Sequence, residues 1–149
     1  QVGNEIPSGM LWPEGHTDNF NQLAQLLNKG YEATKAIDSK IKVIVHLDEG
    51  NKNEKFRWFF DKATENKVKY DVIGLSYYPY WIKTDYQSTI LDLENNLKDM
   101  ASRYNKEVMV VEVGGDFEAV QNTIRTEVQN ASLQRETNQN NLKSYALIT

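Results

Sequence analysis

Two glutamates stand about a hundred residues apart, Glu5 directly after Asn4 and Glu112 directly after the apolar run Val108-Met109-Val110-Val111. Carboxylates offered from the ends of two separate strands suit the cleavage of a glycosidic bond. One of them, kept protonated, donates to the departing oxygen, and the other, ionised, works at the anomeric carbon. A protonated Glu5 needs apolar walls or a neighbouring carboxylate to raise its pKa, and Met10 and Trp12 are placed to supply part of such a wall. Asn4 suits a sugar hydroxyl beside the reacting carbon. Glu112 follows four apolar residues, so it must emerge at the strand end or be paired, because burying a lone charge is costly. A hydroxyl from Tyr77 or Tyr78 would help to keep it ionised. Plainer readings stand beside these: Asn4-Glu5 is also an ordinary strand-to-loop transition, and a strand-end glutamate also serves to bond a loop amide.

Two further clusters belong at strand ends. His46-Leu47-Asp48 combines an imidazole and a carboxylate, both of which bind hydroxyls, and Tyr77-Tyr78-Pro79-Tyr80-Trp81 offers rings that stack on the apolar faces of pyranoses. Tyrosine, tryptophan and a lone histidine are also common structural residues. Phe56-Arg57-Trp58-Phe59-Phe60 lies within a helical pattern and reads as core.

Other chemistries find little support. The 149 residues include no cysteine, which excludes disulfides, thiolate metal sites and a cysteine nucleophile. The two histidines, His16 and His46, lack the helical pairing of a zinc hydrolase. Neither a Gly-x-Ser-x-Gly elbow nor a phosphate-binding loop is present. A net charge of -4 gives no broad basic surface, so nucleic acid is not an expected partner. No apolar run approaches the roughly 20 residues that span a bilayer, so no membrane partner is expected. Asp116 and Glu118 offer a weak calcium site at most.

The elements that must position these groups alternate. After an extended stub at Val2–Ile6, the spacing predicts a helix from Asn19-Phe20 to Ile37, capped by Asp18, then a strand over Ile41–Leu47. A helix over Glu54–Asn66, a strand over Asp71–Tyr78, a helix over Gln87–Tyr104 and a strand over Glu107–Val113 complete the pattern. With 40% apolar residues the chain can build a core of one domain. Four strands separated by helices imply right-handed crossovers and a parallel sheet, either doubly wound or part of a barrel. Polar and aromatic residues crowd the strand C-termini where a nucleotide-binding turn would otherwise stand, which favours the barrel. Residues 116–149 are rich in Asn and Gln and read as a divergent tail of unknown role.

The blocks Gln1–Ile6, Gly9–Gly15, Val45–Asp48, Phe56–Asp61, Asp71–Pro79 and Val108–Glu112, in that order, closely resemble glycoside hydrolase family 53, the endo-β-1,4-galactanases of pectic galactan and type I arabinogalactan. The resemblance covers roughly residues 1–115 and implies an α/β fold, a partial (β/α)8 TIM barrel spanning strands 4 to 7 of the complete domain. It implies Glu5 as acid/base and Glu112 as nucleophile of a retaining double displacement, with Asn4, His46, Asp48, Tyr77, Tyr78 and Trp81 lining the galactose subsites. It also implies a β-1,4-galactan substrate, no cofactor in the chemistry, and a secreted, periplasmic or cell-surface protein. Strands 1 to 3 and 8 are expected to lie outside this sequence, so the chain reads as an internal fragment with negligible turnover alone. The alternatives are a galactan-binding fragment without turnover and a related hydrolase acting on mannan or xylan. Oligomeric state is not encoded in any pattern found.

Overall fold

The computed structural model describes residues 2–82 and 86–114; the expectations for residues 116–149 lie outside the described residues. Helix α1 spans Phe20–Ile37, strand β1 Ile44–Leu47, helix α2 Asn53–Glu65, strand β2 Val72–Tyr77, helix α3 Tyr86–Tyr104 and strand β3 Glu107–Val113. The three strands pair in parallel in the order β1-β2-β3, each beside its sequence neighbour. All three helices contribute to one hydrophobic cluster with Val45, Leu47, Ile73, Leu75, Tyr77 and Val108 of the sheet. Alternation along a strand sends those side chains to one face, which the helices cover; the other face carries His46, Ser76 and Glu112 at its C-terminal end, above apolar residues such as Ile44 and Val72. A doubly wound sheet would carry helices on both faces. Sequential parallel strands with helices on one face form the arrangement of part of a (β/α)8 barrel.

Three sequence expectations differ from the structure. The stub Val2–Ile6 is not a fourth strand: Gly3 and Glu5 have φ values of 76° and 45°, and such left-handed residues break a ladder. The segment still lies along β1, with Val2 N–H donating to Ile44 O at 3.3 Å and Ile6 N–H to His46 O at 3.0 Å. Asp18 does not cap α1. It lies in a 3-10 turn, Thr17–Asn19, whose entry is capped by His16, with Asp18 N–H donating to His16 Nδ1 at 3.1 Å. Strand β1 also begins later than the β-branched run suggests, because the Asp71 carboxylate accepts the Val43 N–H at 2.8 Å and the regular ladder starts at Ile44 opposite Val72.

The core is an aromatic seam along α2. Phe56, Phe59 and Phe60 are fully buried, and the Phe60 ring lies 5.5 Å from Phe59, 5.4 Å from Tyr70 and 5.7 Å from Tyr104, centroid to centroid. Truncating Phe60 to alanine removes both the transferred area and the contacts lining the resulting cavity. The expected loss is about 3–5 kcal/mol, read as a lower urea midpoint in the folded chain.

Helices α2 and α3 are further joined by Arg57, which reaches Asp99 through two donors at 2.8 and 2.7 Å. The Arg57 hydrogen bond, aided by Asn53 and by the charges of Arg57 and Arg103, brings the Asp99 carboxyl down to about 2. A folded-state pKa below the unfolded value gives stability that is present above about pH 4 and fades as pH falls toward 2. Asp99→Asn is therefore expected to lower the urea midpoint at pH 7, with the gap to wild type closing between pH 4 and pH 2.

Candidate active site

The C-terminal ends of the parallel strands converge on one cleft of about 470 Å³, lined by Glu5, Asp48, Glu49, Asn51, Tyr78, Trp81, Ile82 and Glu112. Glu5 reaches it from the left-handed turn after Gly3, anchored by the following residue: Ile6 is buried and its N–H is held by the β1 carbonyl of His46. Asp48 and Glu49 follow β1 directly, Tyr78 follows β2, and Trp81 ends the turn Pro79–Trp81 that comes next.

Glu112 enters the cleft by a local irregularity of β3. Leu75 pairs with Val110 but Ser76 pairs with Glu112, so Val111 is a supernumerary residue in a β-bulge. Partners in register share a face of a parallel sheet. A regular continuation would pair Ser76 with Val111 and turn Glu112 toward the helices; the bulge instead gives Glu112 the inward face of Ser76. Gly74 lies beneath, where an added Cβ would come within 2.6 Å of Ile44 Cγ2 and 3.4 Å of the Val111 methyls. The floor of the site is thus closely packed.

Tyr78 OH donates to Glu112 Oε2 at 2.9 Å. That bond, with burial and the charges of Glu112 and Glu5, holds the Tyr78 phenol above its ordinary range, so it stays a donor. His46 lies under the other oxygen, its Nδ1 3.9 Å from Glu112 Oε1 and its Nε2 2.7 Å from Ser76 Oγ. Burial holds the His46 imidazole below its usual pKa, against the opposing pull of Glu112, Glu5 and Asp48. Lys55 of α2 bonds both Asp48 and Glu49, the latter at 2.8 Å, and these bonds outweigh burial to keep its ammonium charged. Four carboxylates therefore face the cleft, and the nearby ammonium is engaged with two of them. This potential favours an uncharged ligand over an anion. Among the described residues, no cluster of three or more His, Asp or Glu is placed to hold a metal ion.

The family model for glycosyl hydrolase family 53 matches residues 1–147. The chain belongs to glycosyl hydrolase family 53. The family match runs beyond residue 115, where the resemblance of the motif blocks ends, and takes in most of the Asn/Gln-rich tail. The chain is 35% identical over 117 residues to arabinogalactan endo-beta-1,4-galactanase A of Aspergillus niger, covering 74% of this chain and 33% of that protein. The GH53 catalytic domain of Ignisphaera aggregans superposes with a TM-score of 0.68 at 36% identity, covering 76% of this chain and 30% of that one. A solved fungal β-1,4-galactanase gives a TM-score of 0.67 at 32% identity, covering 74% and 34% respectively. The chain spans about a third of the length of the curated relatives it matches.

Of the residues that the family 53 resemblance nominates, Glu5, Asp48, Tyr78, Trp81 and Glu112 meet in the cleft. Asn4 is exposed on the turn that carries Glu5. Tyr77 is not brought to the cleft: its ring faces the helical layer and its hydroxyl pairs with Thr89 Oγ1 at 2.8 Å, both buried. His46, at 0% exposure, lies beneath the cleft beside Glu112 and Ser76 and supports its floor. Trp12, expected as a wall for Glu5, is exposed and stands edge-on to His16 at 4.3 Å, outside the cleft lining. Sequence reading missed Glu49, Asn51 and Ile82. Glu49 was legible in principle as the neighbour of Asp48, whereas Asn51 and Ile82 carry no local signal.

Proposed function

We propose that this chain supplies the two catalytic carboxylates of a retaining endo-β-1,4-galactanase, acting on pectic galactan and type I arabinogalactan. The observation that carries the reading is the entry of Glu5 and Glu112 into one cleft from chain segments far apart in sequence, with Tyr78 donating to Glu112. Glu112 attacks the anomeric carbon and forms a covalent galactosyl-enzyme while Glu5 gives its proton to the leaving oxygen. Glu5 then takes a proton from water, which displaces Glu112 and releases a product of unchanged anomeric configuration. Tyr78 holds Glu112 oriented and ready for attack. His46 and Ser76 fix the floor below it, and Asp48 and Trp81 contact the galactan. The surplus of carboxylates supports neutral galactan over the acidic backbone of pectin.

The chemistry needs no cofactor, since acid, base and nucleophile are all protein carboxylates. Action on a plant polysaccharide implies a secreted or surface-bound enzyme. The decisive experiment places these residues in a catalytic domain of the relatives' length and measures reducing-sugar release from potato galactan, mannan, xylan and polygalacturonate. Release from galactan alone supports the reading. Release from mannan or xylan overturns the substrate. Retention on a galactan affinity gel with no release from any polymer leaves a binding module in place of an enzyme.

A further inference from the structure

Asn51 stands in the cleft wall two residues past the Asp48-Glu49 pair, and it is 93% buried by its relative exposure of 7%. Its Oδ1 is enclosed and has no hydrogen-bond partner among the described residues. The amides around it are arranged quite differently. Asn96, fully buried on α3, accepts from Asn53 Nδ2 at 2.9 Å and donates to Gly50 O at 2.7 Å. Asn53 also donates to Asp99 Oδ2 at 2.8 Å. Each of these groups is satisfied by another element of the protein. Asn51 lies between Gly50 and Asn53 in sequence, on the wall of the cleft.

The backbone that carries Asn51 is fixed. Gly50 N–H donates to Ser76 O at 2.8 Å, and Gly50 O receives the Asn96 amide. A Cβ on Gly50 would come within 2.6 Å of Leu75 Cδ1 and 2.9 Å of Ser76 O, so the turn presses directly on the end of β2. Lys52 N–H closes the turn onto Glu49 O at 2.8 Å. A side chain on so rigid a mount loses little freedom when it takes up a ligand. No donor among the described residues holds the enclosed Oδ1, so none of them opposes its turning toward a hydroxyl in the cleft. The terminal torsion of asparagine is broad and roughly two-fold, so turning the amide exchanges its oxygen and nitrogen at the cleft without moving the backbone.

We propose that Asn51 is a glycan-binding residue, its amide oxygen accepting a hydroxyl of the galactan held in the cleft. Asp48 and Glu49, tied to Lys55, flank that hydroxyl as charged acceptors, and Asn51 supplies the neutral one. The inference rests on the galactan reading and adds a contact to it.

The test is calorimetric titration of the 149-residue chain with β-1,4-galactotetraose, in parallel with thermal unfolding. Asn51→Leu, nearly equal in size and without the acceptor, is expected to weaken binding about tenfold with no fall in midpoint temperature, because it removes an unsatisfied polar atom from the interior. Asn51→Asp, which keeps an acceptor oxygen in the same place, is expected to stay within about threefold of wild type. Asn51→Ser replaces the leucine variant if that one does not fold, with the same expected loss of affinity. Unchanged affinity in the leucine variant overturns the proposal while leaving the galactan reading intact. So does a fall in midpoint temperature that accounts for the lost affinity, which assigns Asn51 to the scaffold. Failure of the wild-type chain to bind the tetrasaccharide overturns the galactan reading for this cleft and this contact with it.

Discussion

Replacing Glu112 with glutamine, in a catalytic domain of the relatives' length, is expected to lower galactan turnover on the order of 10⁴-fold or more. Glutamine keeps the size of the side chain and an oxygen that can still accept from Tyr78, so the cleft should hold its shape. What it loses is the anionic oxygen that, in the proposed mechanism, forms the bond to the anomeric carbon. The defect should therefore appear in the first chemical step, on every substrate, whatever its leaving group. A fluorinated galactosyl donor that traps the covalent intermediate should add its mass to the wild type and not to Glu112→Gln. Turnover within tenfold of wild type in the variant would show that Glu112 is not the nucleophile.

Glu5→Ala is expected to behave differently, because a missing proton donor matters in proportion to how much the leaving group needs it. On galactan, whose departing oxygen is poorly stabilised, the loss should be about 10²- to 10⁴-fold. On an aryl galactoside with an acidic phenol, galactosylation should proceed at a rate near that of wild type and the glycosyl-enzyme should accumulate, since its hydrolysis still lacks the base. The basic limb of the pH profile on galactan should flatten as well, because the group that must be protonated is gone. Equal losses on the two substrates would remove Glu5 from the acid/base role. Wild-type rates in both variants would trace the activity to another protein.

Much of this was legible from residue order. Helical spacing in Phe20–Ile37 and in the phenylalanine-rich block of α2 identified the faces that are buried, because a helix exposes its apolar stripe plainly. Glu112 was legible because a charged residue cannot sit comfortably behind four apolar ones except at a strand's open end. The face of Tyr77 was not legible. Every residue of β2 is buried, so the strand lacks the apolar-polar alternation that would separate its inward from its outward positions. Of two adjacent tyrosines, Tyr78 faces Glu112 and Tyr77 faces Thr89, and only the pairing of the strands decides which. Glu5 was read at a strand end, and it does reach the cleft, but by a left-handed turn that its residue type does not announce. Asn51 was invisible for a related reason: an amide in a polar turn becomes distinctive only when its neighbours are seen to be satisfied and it is not.

The surplus residue in β3 has a bearing on how this chain can change in length. Insertions and deletions are usually tolerated in surface loops, where nothing downstream depends on the count of residues. In β3, Val111 is itself the uncounted residue, since the pairing passes from Val110 opposite Leu75 to Glu112 opposite Ser76. A chain lacking it would run as an unbroken strand with the glutamate still opposite Ser76, whereas a chain that kept it and straightened would drive the carboxylate into the helical layer. The Glu112 end of the strand is thus insulated from a single-residue shortening at that point. A one-residue gap inside this strand, ordinarily a sign of a wrong alignment or a broken sheet, is compatible with an intact site.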